Sequence, residues 1–297
     1  MAARLIDGKA LSQGVRDQIA KDTAALLATS GVTPGLAAIL VGDDPASHLY
    51  VKNKHKACEA VGIHVADHTL PASTSQADLL ALIAQVNRDP TIHGILVQLP
   101  LPKHIDSPLI LNAVLPEKDA DGFHPYNIGR LLEGHPIFEA CTPRGVIKMI
   151  ESTGVGIAGK RAVVVGRSNI VGKPVALMLL QRHATVTICH SKTADLPAVC
   201  REAEILVVAI GKAKFVTADM VRDGAVVVDV GVNRTEDGKF VGDVDFEPVS
   251  KKAGWISPVP GGVGPMTIAM LLQNTLESAQ RMVAQSAGPP PARMRAQ

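Results

Sequence analysis

The stretch RAVVVGRSNIVGKPVALMLLQRHATVTIC, residues 161–189, decides the fold class of this chain. Its pattern predicts a strand over residues 161–165, a glycine turn, a helix over 171–182 and a second strand over 185–189. The first strand is continuously apolar after its arginine, which is typical of parallel strands that helices cover on both faces. A strand, a crossover helix and another strand form a βαβ unit. The stretch therefore predicts an α/β fold with a largely parallel sheet.

The same alternation of apolar runs and amphipathic segments continues on both sides of this stretch. Further strands are predicted over residues 36–41, 94–99, 205–210 and 225–230. Further helices are predicted over residues 8–29, 47–61, 75–88, 144–153 and 265–285, with Ser47 as the N-cap of the second. Prolines from residue 100 to residue 125 indicate loops at a strand end, where α/β proteins place their chemistry.

These elements group into two α/β domains. We predict a first domain over residues 1–140 and a second, with a Rossmann-type parallel sheet, over residues 141–264. The helix over 265–285 follows the second sheet, and its apolar stripe needs a partner surface. The tail SAGPPPARMRAQ, residues 286–297, is rich in proline and has no apolar periodicity, so we expect it to be disordered.

Composition excludes several functional classes. The chain has 297 residues, of which 46% are hydrophobic and 20% charged, as in a globular protein. Its 30 Lys and Arg nearly balance its 28 Asp and Glu, so no basic field favours nucleic acid or an anionic membrane. One Trp, two Tyr and five Phe leave little surface on which single-stranded nucleic acid could stack. We therefore expect neither a nucleic-acid nor a membrane partner.

Cysteine and histidine usage predicts a cytoplasmic protein without a metal site. The four cysteines form no C-x-x-C pair, which favours a reducing compartment over a disulfide framework: Cys58, Cys141, Cys189 and Cys200. Cys189 ends an apolar run, and we interpret it as a small core residue. The histidines show no metal-binding spacing. We expect no leader in residues 1–7 and no membrane span, because no apolar run reaches about 18 residues.

The glycine turn GRSNIVG, residues 166–172, is a candidate dinucleotide site. Glycines between a strand and a helix let backbone N–H groups approach a pyrophosphate at the helix N-terminus. The pattern is G-x-S-x-x-x-G rather than G-x-G-x-x-G, so an ordinary strand–helix turn remains an alternative. The strand before the turn and the helix after it favour the dinucleotide interpretation.

The cofactor is predicted to be NADP rather than NAD. An NAD site would place an acid about 20 residues after the turn, to bind the ribose hydroxyl. Residues 187–193 read TICHSKT and contain no acid, whereas Arg167, Ser191 and Lys192 offer donors suited to a 2′-phosphate. The alternative is a solvated polar turn.

Three polar side chains of the first domain are candidates for catalysis. Tyr50 and Lys54 stand four residues apart, on one face of a helix whose other lysines favour a solvated face as the alternative. Gln98 ends an apolar strand, where a buried amide needs a catalytic or a structural partner. Asp119 and Asp121 follow in the loops, where aspartate also serves as a turn former.

Six motifs in a fixed order cover nearly the whole chain. They are SxxYVxxK (47–54), GILVQLPLP (94–102), KDADGFHPxNxG (118–129), CTPxG (141–145), GRSxIVGxP (166–174) and PVPGGVGPMT (258–267). Together they resemble the bifunctional methylenetetrahydrofolate dehydrogenase/methenyltetrahydrofolate cyclohydrolase family. The chain departs from the family pattern at no motif position, and the proline-rich tail lies outside the resemblance.

The resemblance implies two reactions on one folate. They are NADP-dependent oxidation of 5,10-methylene- to 5,10-methenyltetrahydrofolate and hydrolysis of the product to 10-formyltetrahydrofolate. The implied fold has two α/β domains flanking a cleft, with the last helix returning to the first domain, in a homodimer. The implied catalytic set has Lys54 at its centre, Gln98 supporting it, Tyr50 shaping the folate site and Asp121 holding the pterin.

The resemblance also implies the binding residues. The folate site would comprise Tyr50, Val51, Lys52, Asn53, Lys54, Val97, Gln98, Leu99, Asp121, Pro260, Gly261, Gly262, Val263 and Gly264. The NADP site would comprise Gly166, Arg167, Ser168, Ser191 and Val232. Hydrolysis requires proton transfers, and we hypothesise that Lys54 performs them as a neutral amine.

Two alternatives remain open on the sequence. A different NADP-dependent oxidoreductase, such as a shikimate-dehydrogenase-like enzyme, would share the second domain without requiring Tyr50, Lys54 and Gln98 together. A non-catalytic nucleotide-binding protein could keep the glycine turn and lose the lysine. Turnover of methylenetetrahydrofolate with NADP separates the three.

Overall fold

The computed structural model describes residues 2–286. Its helices are α1 (Gly8–Ser30), α2 (Pro45–Ala60), α3 (Gln76–Arg88), α4 (Ser107–Ala113), α5 (Pro125–Leu132), α6 (Cys141–Ser152), α7 (Gly172–Gln181), α8 (Leu196–Arg201), α9 (Phe246–Ser250) and α10 (Val263–Ser286). Its strands are β1 (Arg4–Leu5), β2 (Gly35–Val41), β3 (His64–Leu70), β4 (Gly94–Val97), β5 (Arg161–Val165), β6 (Thr185–Cys189), β7 (Ile205–Val208), β8 (Val226–Asp229), β9 (Asn233–Arg234), β10 (Phe240–Val241) and β11 (Trp255–Ile256). The tail predicted to be disordered lies, from residue 287 onward, outside the described residues.

The chain divides into two compact units, each built from separate segments. Of the described residues, the six-stranded unit contains residues 2–16 and Asp119–Leu271. The three-stranded unit contains Asp17–Lys118 and residues 272–286.

The six-stranded unit holds a fully parallel sheet with the strand order β1-β11-β8-β7-β5-β6. Its central strands are buried, and Val163, Leu206 and Val227 belong to one apolar cluster. The parallel α/β prediction is confirmed. Strand β5 lies between β6 and β7, so the chain passes from β5 to β6 on one side and then crosses back to β7 on the other side. Such a switch point opens a crevice at the carboxyl ends of the strands, which is where doubly wound sheets bind ligands.

The three-stranded unit has its own parallel sheet with the strand order β3-β2-β4. The central strand β2 reads GLAAILV, and all seven of its residues are buried. Helix α3 packs on this sheet through Leu79 and Ile83, in the same apolar cluster as Ile39 and Ile95. Here the connections diverge between β2 and β4, so this unit also has a switch point at its carboxyl edge.

Helix α2 starts two residues earlier than predicted. Its N-cap is Asp44, whose carboxylate accepts hydrogen bonds from the backbone N and from the Oγ of Ser47, both at 2.8 Å. The prediction of Ser47 as the N-cap is therefore wrong. Pro45 provides the physical reason, because proline favours the first helical position and thus places the cap one residue before it.

Candidate active site

The predicted catalytic lysine and glutamine meet at the carboxyl edge of the three-stranded sheet. Lys54 lies on α2, which follows β2, and Gln98 directly follows β4. The Nζ of Lys54 donates to the Oε1 of Gln98 at 3.1 Å. The Nε2 of Gln98 donates to the carbonyl of Leu99 at 2.7 Å, and its backbone N donates to Ile39 O at 2.8 Å. Gln98 is therefore anchored in its loop with its amide oxygen held toward the lysine.

Cys58 lies one helical turn after Lys54 and does not compete with it chemically. Its side chain is fully buried, and burial raises the pKa of the thiol to about 12. A thiol in this state stays protonated near neutral pH and is neither a nucleophile nor a base. Lys54 is only partly buried, so it is the side chain of this pair that a substrate can reach.

Tyr50 lies one turn before Lys54 on the same helix face and is open to a ligand. Its side chain is 48% exposed. The neighbouring predicted folate residues divide by burial: Val51 is buried, whereas Lys52 and Asn53 are exposed. On the strand side, Val97 is buried and Leu99 is partly buried. Tyr50, Lys54 and Gln98 thus form the chemically accessible part of the predicted set in this unit.

His55 connects α2 to the edge strand β3, a role the sequence did not indicate. Its Nδ1 contacts Asp67 Oδ2 on β3, and its Nε2 contacts Glu59 Oε1 at 3.2 Å. Partial burial lowers the pKa of His55, but its hydrogen bonds and attraction to Asp67 and Glu59 outweigh that effect and raise the pKa above 6.5. Protonated His55 therefore stabilises the contact between α2 and β3.

We expect His55→Gln to destabilise the protein in a pH-dependent way. The raised pKa stabilises the fold fully below pH 6.5, and the contribution is lost as pH rises through the folded-state pKa. Both carboxylates are more than one-third exposed, so the loss at low pH is about 0.5 kcal/mol. Urea unfolding below pH 6.5 and above the folded-state pKa of His55 measures this loss of stability. The control is His48→Gln, at an exposed position on the same helix. An equal loss at both pH values would contradict the assignment.

Asp121 lies in a turn of the six-stranded unit that Asp119 organises. The buried Asp119 carboxylate accepts hydrogen bonds from the backbone N of Phe123 at 3.2 Å and of His124 at 2.8 Å, and from Asn127 Nδ2 at 2.8 Å. Burial raises the pKa of Asp119, against these hydrogen bonds. Asp119 is thus a turn former, the alternative that the sequence left open. Asp121 itself is partly buried and belongs to a different unit from Lys54 and Gln98.

The glycine turn has the tight geometry that the dinucleotide prediction requires. Gly166 adopts φ +130°, and a Cβ on it would lie 2.2 Å from the carbonyl oxygen of Ala209. A Cβ on Gly172 would lie 2.2 Å from Gly166 O. Ser168 replaces the usual second glycine, and its Oγ accepts hydrogen bonds from the backbone N of Val171 at 3.2 Å and of Gly172 at 3.3 Å. The turn therefore fits a dinucleotide by backbone shape, with a serine side chain at the start of α7.

The predicted 2′-phosphate donors lie on adjacent strand ends. The backbone N of Gly166 donates to Cys189 O at 2.9 Å, which places the ends of β5 and β6 side by side. Arg167, in the turn after β5, and Ser191 and Lys192, after β6, are exposed. Cys189 is fully buried, so its prediction as a core residue is confirmed.

The remaining predicted site residues also lie in the six-stranded unit. Val232 follows β8 and is half exposed. The segment Pro260–Gly264 packs against the start of α1: Lys9 N donates to Gly261 O at 3.0 Å, and a Cβ on Gly8 would lie 1.9 Å from Gly262 O. Val263 and Gly264 already belong to α10, which begins two residues earlier than predicted.

Two absences complete the description of the site. Within residues 2–286, no group of three or more His, Cys, Asp or Glu side chains is placed to hold a metal ion. Over the same described range, no helix combines the length and apolarity needed to cross a membrane.

Comparison with known proteins links this geometry to one family. Residues 6–121 match the model of the tetrahydrofolate dehydrogenase/cyclohydrolase catalytic domain, and residues 140–283 match that of the NAD(P)-binding domain. A bifunctional protein FolD from Moorella thermoacetica is 59% identical over 281 residues, covering 95% of this chain and all of the relative.

Solved structures agree in fold over almost the whole chain. The bifunctional FolD methylenetetrahydrofolate dehydrogenase/cyclohydrolase of Campylobacter jejuni has a TM-score of 0.92 and 51% identity, and the match covers 94% of this chain and 99% of that one. The Trypanosoma brucei methylenetetrahydrofolate dehydrogenase-cyclohydrolase, solved with NADP and an inhibitor, has a TM-score of 0.91 and 38% identity, with 97% and 100% covered.

Proposed function

Because this chain belongs to the tetrahydrofolate dehydrogenase/cyclohydrolase family, we propose that it catalyses two consecutive reactions on one folate. It oxidises 5,10-methylenetetrahydrofolate to 5,10-methenyltetrahydrofolate with NADP, and it hydrolyses the product to 10-formyltetrahydrofolate. The hydrogen bond from Lys54 to Gln98 carries the proposal, since it places a fixed amine at a switch point. A nucleotide-binding protein without catalysis would not require this pair.

The oxidation depends on position more than on acid–base chemistry. The hydride leaves a carbon flanked by two nitrogens, whose lone pairs stabilise the resulting amidinium cation. NADP, bound at the glycine turn, supplies the acceptor of that hydride. No proton moves in this step, so the residues contribute by binding and orienting. We propose that Tyr50 packs against the pterin and that Asp121 binds its polar edge.

The hydrolysis requires a group that moves protons, and Lys54 is suited to it. Water adds to the amidinium carbon and loses one proton to give a hydroxyl adduct. The ring C–N bond then breaks as its nitrogen gains a proton, and the hydroxyl proton leaves to solvent as the formyl C=O forms. We propose that the Lys54 amine takes the first proton and returns it to the leaving nitrogen. Gln98 Oε1 accepts one N–H of the amine and so restricts its orientation.

Phosphate recognition supports NADP as the cofactor of this chain. Arg167 and Ser191 are exposed at adjacent strand ends. They lie beside the glycine turn, where a Cβ on Gly166 or Gly172 would clash with backbone atoms. Guanidinium and hydroxyl donors match the 2′-phosphate that distinguishes NADP from NAD. We propose that Gly166, Arg167, Ser168 and Ser191 bind NADP together with Val232.

The domain assignment, the assembly and the compartment are part of the same proposal. We assign residues 1–140 to folate and 141–264 to NADP, a division by ligand that differs from the compact units, since residues 2–16 and 119–140 belong to the six-stranded unit. We join the last helix to the folate domain, which the hydrogen bond from Ser278 Oγ to Glu117 O at 2.9 Å supports. We propose a homodimer, which light scattering of the purified protein tests.

The four cysteines are free thiols and all buried, which fits a reducing compartment such as the cytoplasm.

Incubation of the protein with 5,10-methylenetetrahydrofolate and NADP tests the proposal. We expect absorbance from the methenyl product to rise and then decay as that product is hydrolysed. Methenyltetrahydrofolate supplied without cofactor isolates the second reaction. If neither nicotinamide cofactor supports turnover, the dehydrogenase assignment is wrong. Decay no faster than in buffer would remove the cyclohydrolase assignment.

A further inference from the structure

Two buried carboxylates at the carboxyl edge of the six-stranded sheet have no role in the function proposed above. Asp243 is 0% exposed and Asp229 is 3% exposed. Neither carboxylate forms an ion pair within the described residues, and backbone N–H groups are their main partners. Burying two charges among neutral groups costs free energy, so what they hold in place is informative.

Asp243 holds the turn that follows β7. Its Oδ2 accepts hydrogen bonds from the backbone N of Ile210 at 2.7 Å and of Gly211 at 2.9 Å. Its Oδ1 accepts from the backbone N of Lys212 at 2.8 Å and from Asn233 Nδ2 at 2.9 Å. One carboxylate thus binds the three consecutive backbone amides of residues 210–212 and the side chain of Asn233, which follows Val232.

Asp229 in turn holds Asp243. Its Oδ1 accepts from the backbone N of Gly231 and of Asp243, both at 2.9 Å, and its Oδ2 accepts from Val244 N at 2.8 Å. The packing around both carboxylates is tight. A Cβ on Gly242 would lie 1.8 Å from Asp229 Oδ2, and a Cβ on Gly231 would lie 2.2 Å from the Asp243 carboxylate.

The segments that Asp243 ties together continue the cofactor site along the sheet. Strand order places the segments after β6, β5, β7 and β8 side by side at the carboxyl edge. Ser191 and Lys192 follow β6, and Arg167 and the glycine turn follow β5, so these segments would hold the adenosine and pyrophosphate parts of the cofactor. The nicotinamide half would then extend toward the segments after β7 and β8. A Cβ on Gly166 would lie 2.2 Å from Ala209 O, so the chain after β7 lies directly against the glycine turn.

We propose that Asp243 is a positioning residue for the nicotinamide half of the cofactor. It fixes the turn 210–212 against the glycine turn and fixes Asn233 beside Val232, so that the receiving surface exists before the cofactor arrives. The inference rests on the proposed NADP-dependent function. Asp243 acts through the segments it binds, since its own side chain is fully buried.

Asp243→Asn tests the proposal with a change of one atom. In either orientation, the new NH2 group faces two donors that the carboxylate accepted, so the turn opens. We expect NADP binding, measured by calorimetry, to weaken by about tenfold to a hundredfold. Binding of 2′,5′-ADP, which carries only the adenosine half, should change less than about twofold, because the β5 and β6 ends are untouched. Hydrolysis of methenyltetrahydrofolate, which needs no nicotinamide, should persist.

Three further measurements make the outcome decisive. Asp237→Asn removes the same charge from an exposed site in the β9–β10 turn and should leave every value unchanged. Asn233→Ala removes one donor and should weaken NADP binding less, in case Asp243→Asn does not fold. Equal weakening of NADP and 2′,5′-ADP, or unchanged NADP binding, would overturn the positioning role. Failure of the wild-type protein to bind NADP would instead overturn the proposed function.

Discussion

Lys54→Met is expected to lower the hydrolysis of 5,10-methenyltetrahydrofolate by about a thousandfold. A positioned acid–base group contributes about 10²- to 10⁴-fold, and a thioether cannot carry a proton. Methionine keeps most of the aliphatic length of lysine, so the packing of α2 is retained. NADP binding should persist, because the glycine turn belongs to the other unit. Decay of the methenyl absorbance measures the hydrolysis, and calorimetry measures NADP binding.

Lys56→Met is the matched control for this variant. Lys56 lies on the same helix, is exposed, and is outside the proposed site. Lys56→Met makes the same side-chain replacement on the same helix and should keep full activity. Hydrolysis at the wild-type rate in Lys54→Met would remove the lysine from the mechanism. Equal losses in both variants would show that the positive charge of α2, rather than the position of one amine, matters.

Gly166→Ala is expected to abolish measurable NADP binding and to lower the free energy of unfolding by about 3 kcal/mol. The new Cβ would lie 2.2 Å from Ala209 O, and the backbone at φ +130° is unfavourable for any residue with a side chain. Both strand ends at the switch point must therefore separate, which distorts the turn that approaches the pyrophosphate. Urea unfolding and NADP calorimetry test the two effects.

Gly156→Ala provides the comparison for the same chemical change. No heavy atom lies within 4 Å of the Cβ that it would add. We expect its unfolding free energy to stay within about 0.5 kcal/mol of the wild type and its NADP binding to be unchanged. Wild-type NADP affinity in Gly166→Ala would show that the turn does not contact the cofactor closely.

The central strands could be predicted from sequence because their burial imposes a continuous apolar pattern. The predictions for β5 and β6 match the structure residue for residue, and β2 differs from its prediction by one residue. Strands β2 and β5 pair on both sides and are buried apart from Arg161, so their composition is dominated by alanine, valine, isoleucine and leucine. Strand β6 is an edge strand that reads TVTIC and is largely exposed.

The elements that were not predicted are those whose residue types depend on local or long-range contacts rather than on burial in the core. Edge strand β3 reads HVADHTL, and its exposed histidine and aspartate hide it from an apolar search. Strands β1 and β11 have two residues each, which is too short for any period. Helices α4 and α5 lie in the proline-rich stretch that was interpreted as loop. Each of the two helices has a proline in its first turn, where proline is tolerated.

The residues alone left alternatives open for Lys54 and Gln98, and the family resemblance implied that Gln98 supports Lys54. The structure places their polar atoms 3.1 Å apart. Asp243 could not be found in this way. Its four donors come from positions 210–212 and 233, and only the folded sheet brings those amides together. The sequence around it offers only an aspartate after a glycine.

The segmented make-up of the two units constrains how the protein forms during synthesis. Residues 17–118 are synthesised before the segment 119–271 of the other unit, yet their own unit also needs residues 272–286, which follow that segment. The lysine-bearing unit is therefore still incomplete when the unit with the glycine turn has been synthesised. A nascent chain that ends at Leu271 would contain every segment of the six-stranded unit, whereas its three-stranded unit would lack the last segment.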